Sequence, residues 1–328
     1  MGRKLAFAAL GILTLALPLT FLLPPGPPEP ATPSAETIND VYWLVMAASA
    51  VVFLLIEGAL LLFVVRFRRR PDTPEDVEGP QIHGNTRLEV IWTAIPAVAL
   101  AAIAVFVLLK TPTIQAGSGE PGMRVSVEAH QFYWQYEYEN GVVALDRLLL
   151  PVDEPVTLEL QTLDVEHSWW TRDLNGKLDA VPGRTNRLQF TPTETGSFDG
   201  VCGELCGVQH SLMYTEVEVV ERSEFDAWLA EEQRQQTGES TELGKATYEA
   251  VCGKCHGLAG EGDVGPRIAG NSQLSNPESM GTLLREGQNT DAYAGYMPPN
   301  LSAGWPDFQL DALIAYFRAT NNLQEGES

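Results

Sequence analysis

Positive charge is scarce in this chain: 21 Lys and Arg stand against 43 Asp and Glu in 328 residues, a formal net charge of −22. With no Lys/Arg-rich face to neutralise phosphates, nucleic acid is excluded as a partner. Sulfur and imidazole are scarce as well, with four Cys, six Met and five His. The cysteines form two close pairs, Cys202 with Cys206 and Cys252 with Cys255, so none is left over for a separate structural disulfide or a lipid anchor. Beyond residue 110 there are no long apolar runs, and the remainder reads as soluble, with length enough for two domains.

The apolar runs all lie in the first third. Met1-Gly2-Arg3-Lys4 is a basic start, followed by an apolar run to Leu23 and a Pro- and Ala-rich stretch. That order is the order of a secretory signal peptide, residues 1–35, with Ala31 or Ala35 as its end; an uncleaved anchor is the alternative. Tyr42 to Val65 and Ile91 to Leu109 are each long enough to span a hydrocarbon core of roughly 20 apolar residues. Between them stands Arg66-Phe67-Arg68-Arg69-Arg70, which places that loop in the cytoplasm and everything after Lys110 outside. Residues 36–112 are therefore expected to form a two-helix transmembrane hairpin. Glu57 falls mid-span, where a carboxylate is costly and is expected to face a neighbouring subunit. Glu89 stands at the cytoplasmic mouth of the second span.

From Met123 to Val220 the text alternates with period two, as in Val156-Thr157-Leu158-Glu159-Leu160 and Thr215-Glu216-Val217-Glu218-Val219, and Pro and Gly punctuate the runs. Short, regularly spaced strands of this kind predict an all-β sandwich or barrel over 113–221. Within it lies Cys202-Gly203-Glu204-Leu205-Cys206-Gly207-Val208-Gln209-His210-Ser211-Leu212-Met213. Two thiols, an imidazole and a thioether on one loop suit copper, zinc or iron rather than calcium or magnesium. His167 would bring a second imidazole from a neighbouring strand. A Cys2His2 zinc site and a Cys202–Cys206 disulfide are the alternatives. Thioether together with thiolate favours copper.

These residues carry a family resemblance. The Cys202–Met213 loop, with Asp164-Val165-Glu166-His167-Ser168-Trp169, resembles the CuA site of cytochrome c oxidase subunit II. Leu88-Glu89-Val90-Ile91-Trp92-Thr93-Ala94-Ile95-Pro96, His130-Gln131-Phe132-Tyr133-Trp134-Gln135-Tyr136-Glu137-Tyr138 and Gly176-Lys177-Leu178-Asp179-Ala180-Val181-Pro182-Gly183-Arg184 are similar to further segments of that family, in its order. The resemblance implies a cupredoxin-like barrel holding a binuclear copper centre. Cys202 and Cys206 would bridge the metals, His167 and His210 would each cap one, Met213 would bind weakly, and Glu204 would offer its backbone carbonyl. It further implies a magnesium shared with a catalytic subunit through Glu204, and a proton-channel mouth at Glu89. Where that family's strand usually carries Trp, the mouth for electrons from soluble cytochrome c, this chain has Phe132; Tyr133 and Trp134 are the candidate substitutes in the electron path.

A helix is expected from Ser223, a plausible N-cap, with Phe225, Trp228 and Leu229 on one face; the polar stretch Glu231–Ser240 reads as a linker, giving helix and linker over 222–240. Cys252-Gly253-Lys254-Cys255-His256 is the covalent c-type haem attachment pattern. Its sixth iron ligand would be Met297 in Tyr296-Met297-Pro298-Pro299, Met280 being the other methionine at hand. Residues 241–328 resemble a class I cytochrome c, an all-α domain in which Gly244 and Tyr248 lie on one helix and Leu310, Leu313 and Phe317 on a C-terminal helix packing across it. This segment carries 11 acids against 5 bases. Two acidic domains repel rather than steer each other. A flexible tether of about 20 residues would instead supply a millimolar effective concentration, with docking through apolar contact.

The expected function is that of the electron-transfer subunit of a proton-pumping haem–copper oxidase, set in a bacterial plasma membrane beside subunits I and III and taking electrons from an extracytoplasmic donor. Oxygen reduction itself needs more histidines and spans than this chain has. A CuA-containing nitric oxide reductase subunit and a membrane-anchored electron carrier without an obligate partner are the rival readings.

Overall fold

The computed structural model describes residues 26–68, 81, 83–116, 122–236, 240–289 and 296–325. The leader before Gly26, Arg69, Arg70, Ala294 and Gly295 lie outside them. The chain divides into two compact units, 1–28 with 37–112, and 29–36 with 113–328.

The first unit is built on α1 (Pro33–Phe67) and α2 (Thr86–Ala116), both long and apolar enough to cross a membrane. The helices overrun the apolar runs because polar caps, not hydropathy, set their ends. At the start of α2 the Asn85 side chain accepts from the Leu88 N–H at 3.2 Å, while the Glu89 carboxylate accepts from the Asn85 N–H at 3.2 Å. This reciprocal pair satisfies two of the otherwise orphaned donors of a helix N-terminus.

In the second unit, two five-stranded sheets face each other. One runs β3 (Val143–Leu145), β2 (Tyr133–Tyr138), β1 (Met123–His130), β5 (Val156–Thr162), β8 (Asn186–Phe190). The other runs β4 (Arg147–Pro151), β10 (Tyr214–Val220), β9 (Gly196–Cys202), β6 (His167–Thr171), β7 (Leu178–Ala180). The β1–β5 and β4–β10 pairs are parallel and the rest antiparallel, a cupredoxin-like sandwich. Alternation sends Val125, Val127 and Ala129 of β1, and Trp134, Tyr136 and Tyr138 of β2, into the core with Leu158, Leu160, Trp169 and Phe190. Residues 29–36 belong to this unit. The Ala31 N–H donates to the Asp173 carbonyl at 2.8 Å, the Thr193 N–H donates to the Ala31 carbonyl at 2.9 Å, and Ala31 and Ala35, the two expected leader ends, are both buried.

The connector differs from a flexible tether. Most of it is helix α3 (Arg222–Gln235), which lays Phe225 and Trp228 on Tyr138 of the barrel. Its N-cap is Glu221, in extended backbone, and not Ser223. Arg222 is tied to Glu154 at 2.6 Å and to Asp226 at 2.9 Å, which fixes the start two residues early. At the other end Gln236 pairs with the Val143 main chain, accepting its N–H at 2.9 Å and donating to its carbonyl at 2.8 Å. The stretch is polar because α3 buries one stripe only.

In the C-terminal segment, α4 (Thr241–Thr247) starts on Ser240, whose hydroxyl accepts the Leu243 N–H at 3.3 Å. It runs into a wider turn, Tyr248–Gly253, and a last turn, Lys254–His256. Helices α5 (Pro277–Glu286) and α6 (Asp307–Glu325) complete a helical domain, to which a short β-ribbon, Gln288–Asn289 with Tyr296–Met297, is added. At Gly244 an added Cβ would lie 2.0 Å from the Ala312 carbonyl oxygen, so glycine is what lets α4 and α6 cross so closely. Tyr248 meets Phe317 edge-on at 5.6 Å, and Leu313 and Phe317 are buried in one apolar cluster, as the sequence pattern anticipates.

Candidate functional site

Strand order brings the sulfur loop and His167 together. His167 opens β6, Cys202 closes β9, and these strands pair antiparallel with Trp169 opposite Cys202. The chain then loops through Cys206 to a helical turn, His210–Leu212, and re-enters the sheet as β10 after Met213. The result is a cluster of soft donors. Cys202 Sγ lies 3.9 Å from Cys206 Sγ and 3.9 Å from His167 Nδ1. Cys206 Sγ lies 3.6 Å from His210 Nδ1 and 3.8 Å from Met213 Sδ, and His167 Nδ1 is 3.2 Å from Met213 Sδ. The Glu204 carbonyl oxygen faces Cys202 Sγ at 3.2 Å. All six residues expected at the metal site therefore converge. His167, Cys202, Cys206 and Met213 are buried and His210 is half-buried.

Two thiols, two imidazoles, a thioether and a carbonyl within reach of one another fit a pair of soft cations better than one tetrahedral zinc, which would leave two donors idle. One of the thiols ionises readily. The hydrogen bond with Cys206 draws Cys202 well below the usual thiol range, helped by His167 and the backbone, while the same bond and burial drive Cys206 up. The pair shares one proton, which a metal would displace.

Asp164 is a site residue that the sequence pattern did not single out. Its Oδ1 is 2.8 Å from His167 Nε2, which turns Nδ1 toward the sulfurs. A carboxylate behind a ligating imidazole fixes its tautomer and orientation. Burial alone would raise the Asp164 carboxyl, but hydrogen bonds from His167, the Gln131 N–H at 2.7 Å and the Thr162 hydroxyl at 2.8 Å hold it below the ordinary range. The signal in the sequence is an acid three residues before the histidine. The Glu204 carboxylate stands 3.8 Å from Lys177 Nζ, both half-exposed.

Of the three aromatics in the candidate electron path, Phe132 packs on the metal loop: a Cβ added to Gly207, at φ +142°, would lie 3.0 Å from its ring. Trp134 sits in the barrel core, edge-on to His167 with centroids 6.2 Å apart. Tyr133 points the other way, out of the sandwich, and joins the apolar cluster of the C-terminal segment.

At the second cluster, Cys252, Cys255 and His256 are half-buried at the end of the α4 helical run. His256 Nδ1 lies 2.7 Å from the Pro266 carbonyl. A carbonyl only accepts, so Nδ1 carries the proton and Nε2 is left as the donor to a metal. Met297, half-buried on the ribbon, packs with Cys252 against the cluster of Tyr248, Leu274, Leu284, Leu301 and Leu313. Met280, on α5, is buried inside that same cluster. Two thiols on one helical turn, an oriented imidazole, and an apolar wall holding a second methionine fit a covalently attached haem. Glu89 caps α2, as described above.

Comparison with known proteins agrees with this arrangement. Residues 140–220 match the family described as cytochrome C oxidase subunit II, periplasmic domain, and residues 26–109 its transmembrane domain. Residues 239–317 match cytochrome C oxidase, cbb3-type, subunit III. The chain is 33% identical over 321 residues to cytochrome c oxidase subunit 2 of Alkalihalophilus pseudofirmus, covering 90% of this chain and 91% of that one. It is 30% identical over 271 residues to the Bacillus subtilis protein of the same name, covering 75% and 76%. A solved periplasmic domain of subunit II of cytochrome oxidase (CoxB) of Bradyrhizobium japonicum is 26% identical, covers 35% of this chain and 96% of that one, and has a TM-score of 0.34.

Proposed function

The chain belongs to the cytochrome c oxidase subunit II family, with a cytochrome c domain at its C-terminal end, and from that premise we propose that it relays electrons, one at a time, from its own haem c to its own binuclear copper and on to a catalytic subunit that reduces oxygen. The observation that carries this reading is the convergence of Cys202, Cys206, His167, His210, Met213 and the Glu204 carbonyl into one buried cluster. His167, Cys202, Cys206, His210, Met213 and the Glu204 carbonyl would hold the copper pair. Cys252, Cys255, His256 and Met297 would hold the haem.

The copper pair and the haem, when bound, would supply one-electron exchange. What the chain adds is rigidity. Asp164 fixes the His167 ring, the Pro266 carbonyl fixes the His256 ring, and Phe132 and Gln131 brace the sulfur loop. A shell held in this way limits reorganisation on each turnover.

In this reading two helices anchor the chain in a bacterial plasma membrane beside subunit I and subunit III, with both soluble domains on the extracytoplasmic side, where a respiratory donor reduces the haem. Glu204 would turn its carboxylate to a magnesium at the subunit I boundary, exchanging its Lys177 contact for the cation. Glu89 would lie at the mouth of a proton channel of the partner; Glu89→Gln would keep the helix cap yet slow proton uptake with both metal spectra intact, and unchanged turnover removes that role.

The deciding experiment is purification of the native complex, with copper, haem and partner subunits quantified and oxygen and nitric oxide consumption compared. Two coppers and one covalent haem per chain, with oxygen as acceptor, is the expected result. Nitric oxide as the preferred acceptor, or a chain isolated alone and fully functional, overturns it.

A further inference from the structure

Where β1 ends and β2 begins, the strands are buried on both faces, and the outer face is the informative one. Glu128, His130, Tyr133 and Gln135 point away from the sandwich core, in register opposite one another, yet His130, Tyr133 and Gln135 are 1%, 0% and 3% exposed. The cytochrome segment covers them. The Tyr133 hydroxyl donates to the Leu301 carbonyl at 2.6 Å and accepts from the Trp305 indole N–H at 2.8 Å. The Gln135 amide donates to the Gly304 carbonyl at 3.3 Å. Gly304, at φ +74°, lies so close that an added Cβ would stand 2.4 Å from a Glu128 carboxylate oxygen.

At the edge of this face one cation is almost entirely enclosed. Lys254, between the two haem-attachment cysteines, extends its ammonium to within 2.5 Å of Asp146 Oδ2, donates to the Phe132 carbonyl at 2.9 Å, and rests 4.9 Å from the Tyr214 ring centroid. The side chains of Lys254 and Asp146 are 6% and 13% exposed. Asp146 is itself immobilised: its other oxygen accepts the Trp134 N–H at 2.9 Å, and its carbonyl accepts the Glu216 N–H at 2.8 Å. The carbonyl that Lys254 grips belongs to the residue after Gln131, whose side-chain amide donates to the Cys206 carbonyl at 2.5 Å. Two adjacent residues, Gln131 and Phe132, thus link the haem-attachment turn to the sulfur loop.

We infer that Lys254, held by Asp146 and the Phe132 carbonyl, is a positioning residue that locks the haem-bearing turn against the copper-binding loop in one orientation. A buried ion pair adds little to stability when compared with well-packed apolar groups, but it is directional and heavily penalised when either partner is misplaced. An apolar face alone would let the helical domain slide or turn. The inference rests on the relay proposed above, and it concerns the fixed geometry of that relay.

The test uses the purified complex carrying Lys254→Met, Asp146→Asn or both, with two readouts. The first is hydrogen exchange at the Leu301–Trp305 amides, which requires no cofactor. The second is the rate of haem-to-copper electron transfer after rapid photoreduction of the haem. Lys254→Met strands a buried carboxylate and is expected to speed exchange and slow transfer, each about tenfold, with haem and copper spectra unchanged. Asp146→Asn lies outside the haem motif, keeps an acceptor for Trp134, and should act in the same direction if Lys254→Met fails to take up haem. The double variant balances charge again, so exchange protection returns toward native while transfer stays slow, because the bond to Phe132 is missing. Exchange and transfer both within about twofold of native in the single variants overturns the inference, as does faster exchange with unchanged transfer, or full recovery of both in the double variant. If the native complex shows no haem-to-copper step at all, the relay fails, and the exchange data still decide whether Lys254 docks the two domains.

Discussion

In Tyr133→Phe a single buried oxygen is deleted from the face that carries the cytochrome domain. The ring stays, with its stacking on His130 at 4.6 Å between centroids, but the Leu301 carbonyl and the Trp305 N–H both lose their partner. Each buried polar group left unsatisfied costs about 1–3 kcal/mol, so the pair amounts to about 2–6 kcal/mol. For a domain of 60–100 residues, 1 kcal/mol shifts the thermal midpoint by about 4–8 °C, which places the expected loss at about 10 °C or more. The assay is thermal unfolding of the complex followed at two wavelengths, one for the haem environment and one for the copper centre. The haem transition should fall while the copper transition moves little, since the Tyr133 side chain belongs to the apolar cluster of the C-terminal segment and the sulfur loop to that of the barrel. Trp305→Phe in the same background should add less than it does alone, because the donor it removes is already orphaned. A haem transition within about 2 °C of native would refute the claim that these bonds hold the domains together.

The other predictions concern charge and metal. Asp164→Asn loosens the His167 ring and should weaken copper binding about 10–100-fold, read by competition with a chelator; unchanged affinity removes the orienting role. Burial pushes the Asp146 carboxyl up to about 6, against the pull of Lys254. Unfolded, the same group ionises near 4, so in that window the native state keeps a proton that the unfolded state loses. Its stabilising contribution is therefore complete below about pH 4 and is lost, by about 3 kcal/mol, as the pH rises to about 6. The stability of the native chain minus that of Asp146→Asn should fall across that interval in urea titrations, and a flat or rising difference contradicts the assignment.

The copper cluster was legible because its donors lie within twelve residues and their chemistry is unusual; only His167 had to be brought from another strand, and the loop's lack of a second imidazole pointed to it. The two spans were legible because hydropathy needs no partner. The dock was not. Lys254 occupies a position where the haem motif specifies nothing, so the motif hides it. The one available signal was the aromatic strand, where Tyr133 and Trp134 have opposite parity and a half-exposed strand would need only one of them apolar. The polar stretch from Glu231 hid the helix that runs on to Gln235 for a related reason. Helix α3 is polar on all but one stripe, and the anchor at its end is a Gln236 side chain acting as a strand partner for Val143, which no periodicity reports.

The expectation of apolar docking on a flexible tether gives way to a different physical picture. A tether raises the frequency of encounter and leaves orientation to chance. Here the barrel grips α3 through Phe225 and Trp228, the haem-attachment turn through Lys254 and the Leu301–Trp305 stretch through Tyr133, so it holds the C-terminal region at separate points. With 43 acids and few bases, the chain has little long-range attraction to spend on assembly. It places one of its scarce cations in the dock, where screening is weak and a misplaced partner is penalised most. That choice sacrifices some stability, as the raised Asp146 ionisation shows, in return for a single approach of the haem turn to the sulfur loop. The relay proposed above would gain more from constant distance than from tighter association, because its partner is never free to leave.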